Sequence, residues 1–329
     1  MQFPEIFSRA HSRRNFILSF FPASVAVASW QGAPPSLTLP GKSNSVRFAM
    51  IGDMGTGKRP QYEVAAQMLR YRQIFPFEFV ITLGDNIYGD QDAAGLKLKF
   101  EDPYRALLEG KVTFYAALGN HDNQNQRLYK PFNMDGKRYY SFKKGKAEFF
   151  VLDSNYMDRE QIAWLGAQLQ ESTAPWKICY CHHPMYSHAK FHGSDTDLRR
   201  TLEPICLRYG VQVVFAGHEH VYERLKPQHG INHFVLGNSG QLRPHYLRPS
   251  PDTAKGFDTD QTFGLVEIVD DDMFFQIVSR TGESVDSGVI HRQAKSTETG
   301  SARVGPAGNH AILESAQWPG DSFLISSHS

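Results

Sequence analysis

The stretch Ala216-Gly217-His218-Glu219-His220-Val221-Tyr222-Glu223-Arg224 carries two histidines two residues apart. The hydrophobic run 211–215 leads into it and reads as a buried strand. Residues i and i+2 lie on one side of an extended chain. Both imidazoles are therefore expected to reach one point just past the strand end. That arrangement suits a metal ion, for which imidazole is a common ligand. Two surface histidines would look the same in isolation, so the rest of the chain has to separate the readings.

Four other strand signals end in residues of similar chemistry. Run 46–51 ends in Gly52-Asp53-Met54-Gly55, and run 77–83 in Gly84-Asp85-Asn86-Ile87-Tyr88. Run 112–118 ends in Gly119-Asn120-His121-Asp122, and run 176–180 in Cys181-His182-His183. Ligands of open α/β sheets bind outside the carboxyl ends of the strands. Asp53, Asp85, Asn120, His182 and His218 are thus expected to converge. A Gly-Asp pair is a common turn, but five such strand ends in one chain are hard to explain as turns. The donors are carboxylates, an amide oxygen and imidazoles, more than one ion needs. Two ions ~3.5–4 Å apart would use them, and such pairs hold the attacking and leaving oxygens of a phosphoryl displacement.

With Cys179-Tyr180-Cys181-His182 as its fourth motif, this set resembles the metallophosphoesterase superfamily. Its pattern is most similar to purple acid phosphatases of the small, tartrate-resistant type. The resemblance runs from about residue 46 to 224 and on toward 291. Cys179 departs from it, standing where that family usually has valine. The resemblance implies an α/β fold of two packed mixed β-sheets flanked by helices, a four-layer α/β/β/α sandwich. It implies that Asp53, Tyr88 and His220 hold Fe(III), that Asp85 bridges two metals, and that Asn120, His182 and His218 hold a divalent Fe, Zn or Mn ion. Carboxylate and phenolate oxygens are hard, anionic donors, which suits a trivalent cation. His121 and His192 would act on the substrate, with His188 and His183 as alternatives to His192 and Asp122 orienting His121.

The function so implied is a dinuclear-metal acid phosphatase that hydrolyses phosphate monoesters by attack of a metal-bound hydroxide. A phosphodiesterase or nucleotidase would use the same site with a different pocket. A non-catalytic phosphate- or metal-binding protein is the reading from another class. The expected partner is a small-molecule phosphate ester.

The elements that must position these residues follow from pattern. Helices are expected over 60–74, over 96–108 with a break at Pro103, over 158–170 with Asp158 as N-cap, and over 195–209. A hairpin is expected around Lys143-Lys144-Gly145-Lys146, where the chain should turn antiparallel. Further strands are expected over 220–225, 232–236, 262–269, 273–279 and 285–291.

The 329 residues are 41% hydrophobic and 21% charged, ordinary for a soluble globular protein. A net charge of +1 gives no global field toward nucleic acid or a membrane surface. Three cysteines, Cys179, Cys181 and Cys206, do not make a disulfide framework and read as small core residues. His11-Ser12-Arg13-Arg14-Asn15-Phe16-Ile17-Leu18 resembles a bacterial twin-arginine export signal, with a small-residue cleavage site at Ala26-Val27-Ala28. The expected organisation is a signal over 1–28, a linker over 29–44, the metallophosphoesterase (calcineurin-like) domain over 45–292 and a low-order tail over 293–329. The twin-arginine machinery is then a partner, the mature chain has no stable membrane span, and the location is the periplasm or outside the cell.

Overall fold

The computed structural model describes residues 36–292. The expected signal, the first part of the linker (29–35) and the expected tail lie outside the described residues. Residues 36–44 do not hang free as a linker would. Leu39 is buried, Thr38 N–H donates to Gln276 Oε1 at 3.0 Å, and the Gly41 and Lys42 amides donate to the Glu267 carboxylate at 2.7 Å.

The first half runs β1 (Val46–Ile51), α1 (Arg59–Ile74), β2 (Phe79–Thr82), α2 (Ala93–Leu96), α3 (Asp102–Glu109), β3 (Thr113–Ala116), β4 (Tyr140–Lys144) and β5 (Ala147–Val151). It continues with α4 (Arg159–Glu171), β6 (Trp176–Tyr180), α5 (Thr196–Tyr209), β7 (Val213–Ala216), β8 (Tyr222–Leu225) and β9 (Asn232–Leu236). Strands β10 (Thr253–Phe257), β11 (Thr262–Val269), β12 (Asp272–Ser279) and β13 (Ser284–His291) complete it. One sheet has six strands in the order β13-β12-β11-β1-β2-β3, the other seven in the order β10-β8-β9-β7-β6-β5-β4. Both are mixed, and helices flank them.

The antiparallel middle expected from sequence is confined to the β4–β5 hairpin. Strands β5, β6, β7 and β9 pair in parallel. Helices α4 and α5 supply the crossovers that parallel neighbours need. Asp158 and Asp195 cap these two helices, accepting from the Gln161 and Leu198 amides. The expected break at Pro103 does not occur. A π-helical turn, Lys97–Glu101, joins α2 to α3 and leaves Pro103 in the first turn of α3, and the Leu98 and Lys99 carbonyls a turn earlier accept from the Tyr62 hydroxyl at 3.0 Å and Gln61 Nε2 at 2.6 Å.

Side-chain alternation along the strands builds two cores. Phe149 on β5 and Phe215 on β7 face the other sheet and meet Phe48 of β1 edge-on, with ring centroids 5.3 and 6.2 Å apart. Their neighbours Phe150 and Val214 point outward and pack with Leu165 and Leu169 of α4 and Leu198, Leu202 and Cys206 of α5. Cys179 and Cys181 join this second core, and all three cysteines are free thiols. The two sheets are thereby fixed face to face, and the C-terminal ends of β1, β2, β3, β6 and β7 open onto one place.

One buried group makes the fold acid-sensitive. His233 on β9 is buried, its Nε2 has no partner, and its ring lies 4.8 Å from that of Tyr186. Burial pushes it down to about 3. The unfolded chain takes up this proton near 6.5 and the folded chain does not, so stability falls as pH drops from about 6.5 toward 3. His233→Phe should remove that component. Denaturant unfolding at several pH values should show the variant gaining on the wild type by up to about 1.4 kcal/mol per pH unit in this window. Parallel profiles for the two proteins would refute the assignment.

Candidate metal centre

Three of the candidate ligands leave their strands through a sharp turn. Asp53, Asp85 and His218 have φ of 52°, 49° and 70°, in the left-handed region. Asp and His tolerate this region better than most residues, and strain of this kind collects at functional sites. Two glycines show why the turns must be tight. A Cβ on Gly84, itself at φ +85°, would lie 2.6 Å from His182 Nδ1. A Cβ on Gly119 would lie 2.2 Å from both the amide nitrogen and Oδ1 of Asp85.

The left-handed turn corrects one expectation. His218 and His220 do not aim at one point, because the chain between them is not extended. They enter two adjacent groups of donor atoms. In the first, the Tyr88 hydroxyl lies 3.0 Å from Asp53 Oδ1 and 3.1 Å from His220 Nε2, and His220 Nε2 lies 3.3 Å from Asp53 Oδ1. In the second, His182 Nε2 lies 2.9 Å from Asn120 Oδ1 and 3.1 Å from His218 Nδ1. Asp85 belongs to both. It groups with Asp53 and His220, and its Oδ1 is 3.5 Å from His182 Nε2. His183 groups with His182 and His218, while its Nδ1 pairs with Ser154 Oγ at 2.8 Å.

The chemistry of these donors fits cations. Asp53 and Asp85 are buried, and their ion-pair partners among the described residues are histidines, not lysine or arginine. His182 Nδ1 lies 2.8 Å from the Leu83 carbonyl, which can only accept. The proton is therefore on Nδ1, and the Nε2 lone pair faces Asn120 Oδ1. An imidazole lone pair beside an amide oxygen is a donor pair that a cation can take up.

The protein alone disfavours charge here. Burial, then the neighbouring Asp85 carboxylate, pushes Asp53 well above the usual carboxylate range. Burial, reinforced by Asp53 and Asp85, pushes the Tyr88 phenol far up. Burial holds His182 and His218 well below the usual imidazole range, and burial followed by Arg243 takes His220 to about 4. A bound cation reverses the upward shifts of Asp53 and Tyr88 and reinforces the downward shifts of the histidines, whose neutral form is the ligand.

At the rim, His121 is exposed, its ring 4.9 Å from that of Tyr88, and its amide donates to Asp85 Oδ1 at 2.9 Å. The His192 ring lies 4.1 Å from that of His218. His188 turns away, with Nδ1 2.9 Å from Glu223 Oε1. Asp122 does not orient the His121 ring, as the sequence suggested. Its carboxylate accepts from the amides of Asn86, Ile87 and Gly119 at 2.9–3.0 Å and so ties the second strand-end loop to the third.

Two residues near the centre have roles the sequence did not mark. Glu219, between the two histidines, is buried, and its Oε1 accepts from the amides of His192 at 2.8 Å and Gly193 at 2.5 Å. That clasp fixes the loop carrying His192. Arg243 reaches His220 Nδ1 with Nε at 3.3 Å. Glu219 was visible only as an acid within a histidine motif, and Arg243 carried no signal, being over twenty residues downstream.

The signature of the calcineurin-like phosphoesterase family matches residues 46–222, more than half of the chain. The chain is 26% identical over 312 residues to tartrate-resistant acid phosphatase type 5 of Homo sapiens, spanning 79% of this chain and 95% of that protein. Among solved structures, purple acid phosphatase PPD1 from yellow lupin superposes with a TM-score of 0.64 at 21% identity, over 77% of this chain and 55% of that one. GAP50, the anchor in the inner membrane complex of Plasmodium, superposes at 0.67 with 19% identity, over 77% and 90%. At such identities the structural likenesses show the fold, which by itself fixes no activity.

Gly119→Ala tests the packing of the centre. The new methyl would displace Asp85, so bound metal should fall and the fold should lose about 1–3 kcal/mol. Gly166→Ala in α4, where a Cβ meets nothing within 4 Å, should leave both unchanged or raise stability slightly. Metal analysis and denaturant unfolding of the pair check this. Full metal content in Gly119→Ala would contradict the close approach.

Proposed function

We propose that this chain, which belongs to the calcineurin-like phosphoesterase family, is a dinuclear-metal acid phosphatase acting on phosphate monoesters. The observation that carries the proposal is the facing of His182 Nε2 and Asn120 Oδ1 beside two buried carboxylates whose ion-pair partners among the described residues are histidines, not lysine or arginine. Seven side chains from five strand ends form that setting. In this reading Asp53, Tyr88 and His220 hold Fe(III), Asp85 is shared, and Asn120, His182 and His218 hold a divalent Fe, Zn or Mn ion. Bound there, the metals would supply Lewis acidity, neutralising phosphate charge and acidifying the attacking water.

The remaining roles belong to the chain. The exposed His121 and the His192 ring flank the centre on two sides. They are placed to hold phosphate oxygens and to hand a proton to the departing alkoxide. A histidine can donate only when protonated, which favours a working pH near or below its ~6.5 reference value. Glu219 acts through the loop it clasps, keeping His192 over His218. The name of the human relative, an acid phosphatase, supports the same pH range. The twin-arginine segment in the sequence supports action after export to the periplasm or beyond.

Three measurements test this. Metal-loaded protein should turn over an aryl phosphate monoester much faster than the matching diester, with a maximum in acid. Diester preference at neutral or alkaline pH would move the protein to the phosphodiesterase reading. Asp85→Asn should lower activity by at least about a hundredfold, the scale of losing one preorganised charge at a reacting centre, and should reduce metal content. Retention of both would overturn its shared position. Tyr88→Phe should abolish a visible tyrosinate-to-iron absorption band. A colourless wild type holding two zinc ions would refute the ferric assignment.

A further inference from the structure

Arg243 is held at the rim in an unusual way. Its amide donates to the His220 carbonyl at 3.0 Å, and the Ser239 and Gln241 amides donate to Gly52 and Asp53 carbonyls at 3.1 and 3.0 Å. The segment bearing Arg243 is thus laced to two of the strand-end loops. Its guanidinium carbon sits 3.5 Å from the centroid of the Phe191 ring and 5.8 Å from that of Tyr246. Phe191 is 55% exposed and Tyr246 37% exposed, large apolar surfaces left open beside a charged cleft. The two loops that carry these rings are joined as well. Ala189 bridges Leu247, Lys190 N–H donates to the Tyr246 carbonyl at 2.7 Å, and Arg248 N–H donates to that of His188 at 3.0 Å.

The charge of Arg243 is not neutralised by an ion pair among the described residues. Its Nε is turned to His220 Nδ1, and no carboxylate among the described residues forms an ion pair with it. The nearby Glu219 carboxylate is committed to the amides of His192 and Gly193. Both Nη nitrogens lack a hydrogen-bond partner among the described residues. A guanidinium flat on an aromatic ring, with its outer edge free, presents two parallel N–H groups. That fork matches a carboxylate or a phosphoryl group in bidentate geometry. Phe191 adjoins His192, so the fork stands next to the side of the centre where His192 is placed to protonate a leaving group.

We propose that Arg243, backed by Phe191 and Tyr246, is a leaving-group subsite that recognises a second oxyanion on the substrate, beyond the phosphate that reacts. The subsite rests on the phosphatase reading for its position relative to the reacting phosphate. It would make the preferred substrates doubly anionic, with a carboxylate or a further phosphoryl group in the leaving group. Tyr246 and the apolar face of Phe191 would line the path between the two anions.

Equilibrium binding to the metal-loaded full chain tests this without turnover. Four non-hydrolysable probes are used: benzylphosphonate, 4-carboxybenzylphosphonate, methylphosphonate and methylenediphosphonate. The wild type should bind at least one doubly anionic probe about ten- to a hundredfold more tightly than its singly anionic counterpart, the scale of a charge-assisted hydrogen-bond pair. Preference in the carboxylate pair or in the phosphonate pair identifies which oxyanion is taken. Arg243→Gln should abolish the preference while singly anionic probes stay within about threefold, and Arg243→Lys should restore it only in part, lacking the fork. No preference in the wild type would overturn the proposal. So would an equal loss for both members of a pair in Arg243→Gln, which would mean that Arg243 acts through His220. Turnover of phenyl phosphate by the wild type is measured in parallel. A protein without turnover that keeps the preference would retain the subsite and remove the phosphatase reading.

Discussion

Two carboxylates, Asp53 and Asp85, lie buried at adjoining strand ends with only histidines as ion-pair partners among the described residues. Like charges in a low-dielectric interior repel strongly, and burial alone raises the cost of ionising either one. The surrounding geometry addresses that cost directly. The His218 amide donates to Asp53 Oδ2 at 2.8 Å, and the His121 amide to Asp85 Oδ1 at 2.9 Å. Asp53, Asp85 and His218 meet these donors in left-handed conformations immediately after their strands. The histidines nearby are kept neutral by the same burial, and the His182 Nε2 lone pair is directed inward. The two carboxylates and the neutral imidazoles beside them are thus a donor set that suits bound cations.

Such a centre needs a rigid frame, because an error of an ångström separates donors that must act together. Phe48, Phe149 and Phe215 lock the two sheets face to face and so fix the strand ends relative to one another. Asp122 then ties the loop after β2 to the loop after β3, while Glu219 ties the loop after β7 to the one carrying His192. Both are acids that accept backbone N–H groups and contribute no ligand atom. The rim is different in character. His121, Phe191 and Tyr246 are exposed, and there the frame meets solvent.

Much of this was legible in the sequence, for a physical reason. A buried strand ending in glycine and then a polar donor is a local pattern, and five of them in one chain imply convergence without knowledge of the sheet order. The helices read well because their caps are local too, as with Asp158 and Asp195. Other features depend on contacts between distant segments. Strand β10, rich in exposed residues, has no hydrophobic pattern and exists because it pairs with β8. The divergence of His218 and His220 turns on one backbone angle that residue type does not fix. Asp122 looked like a partner for the adjacent His121 because sequence neighbours suggest each other, yet its bonds go to Asn86, Ile87 and Gly119. Arg243 reaches the centre across twenty-three residues, which no local pattern announces.

The central claim is that two cations share Asp85, one beside Asp53, Tyr88 and His220, the other beside Asn120, His182 and His218. Anomalous diffraction from crystals of the metal-loaded protein, collected on both sides of the iron edge, tests it most directly. The account predicts two peaks about 3.5–4 Å apart with Asp85 between them, the one beside Tyr88 vanishing below the iron edge. A single peak, or none within reach of Asp85, would contradict it.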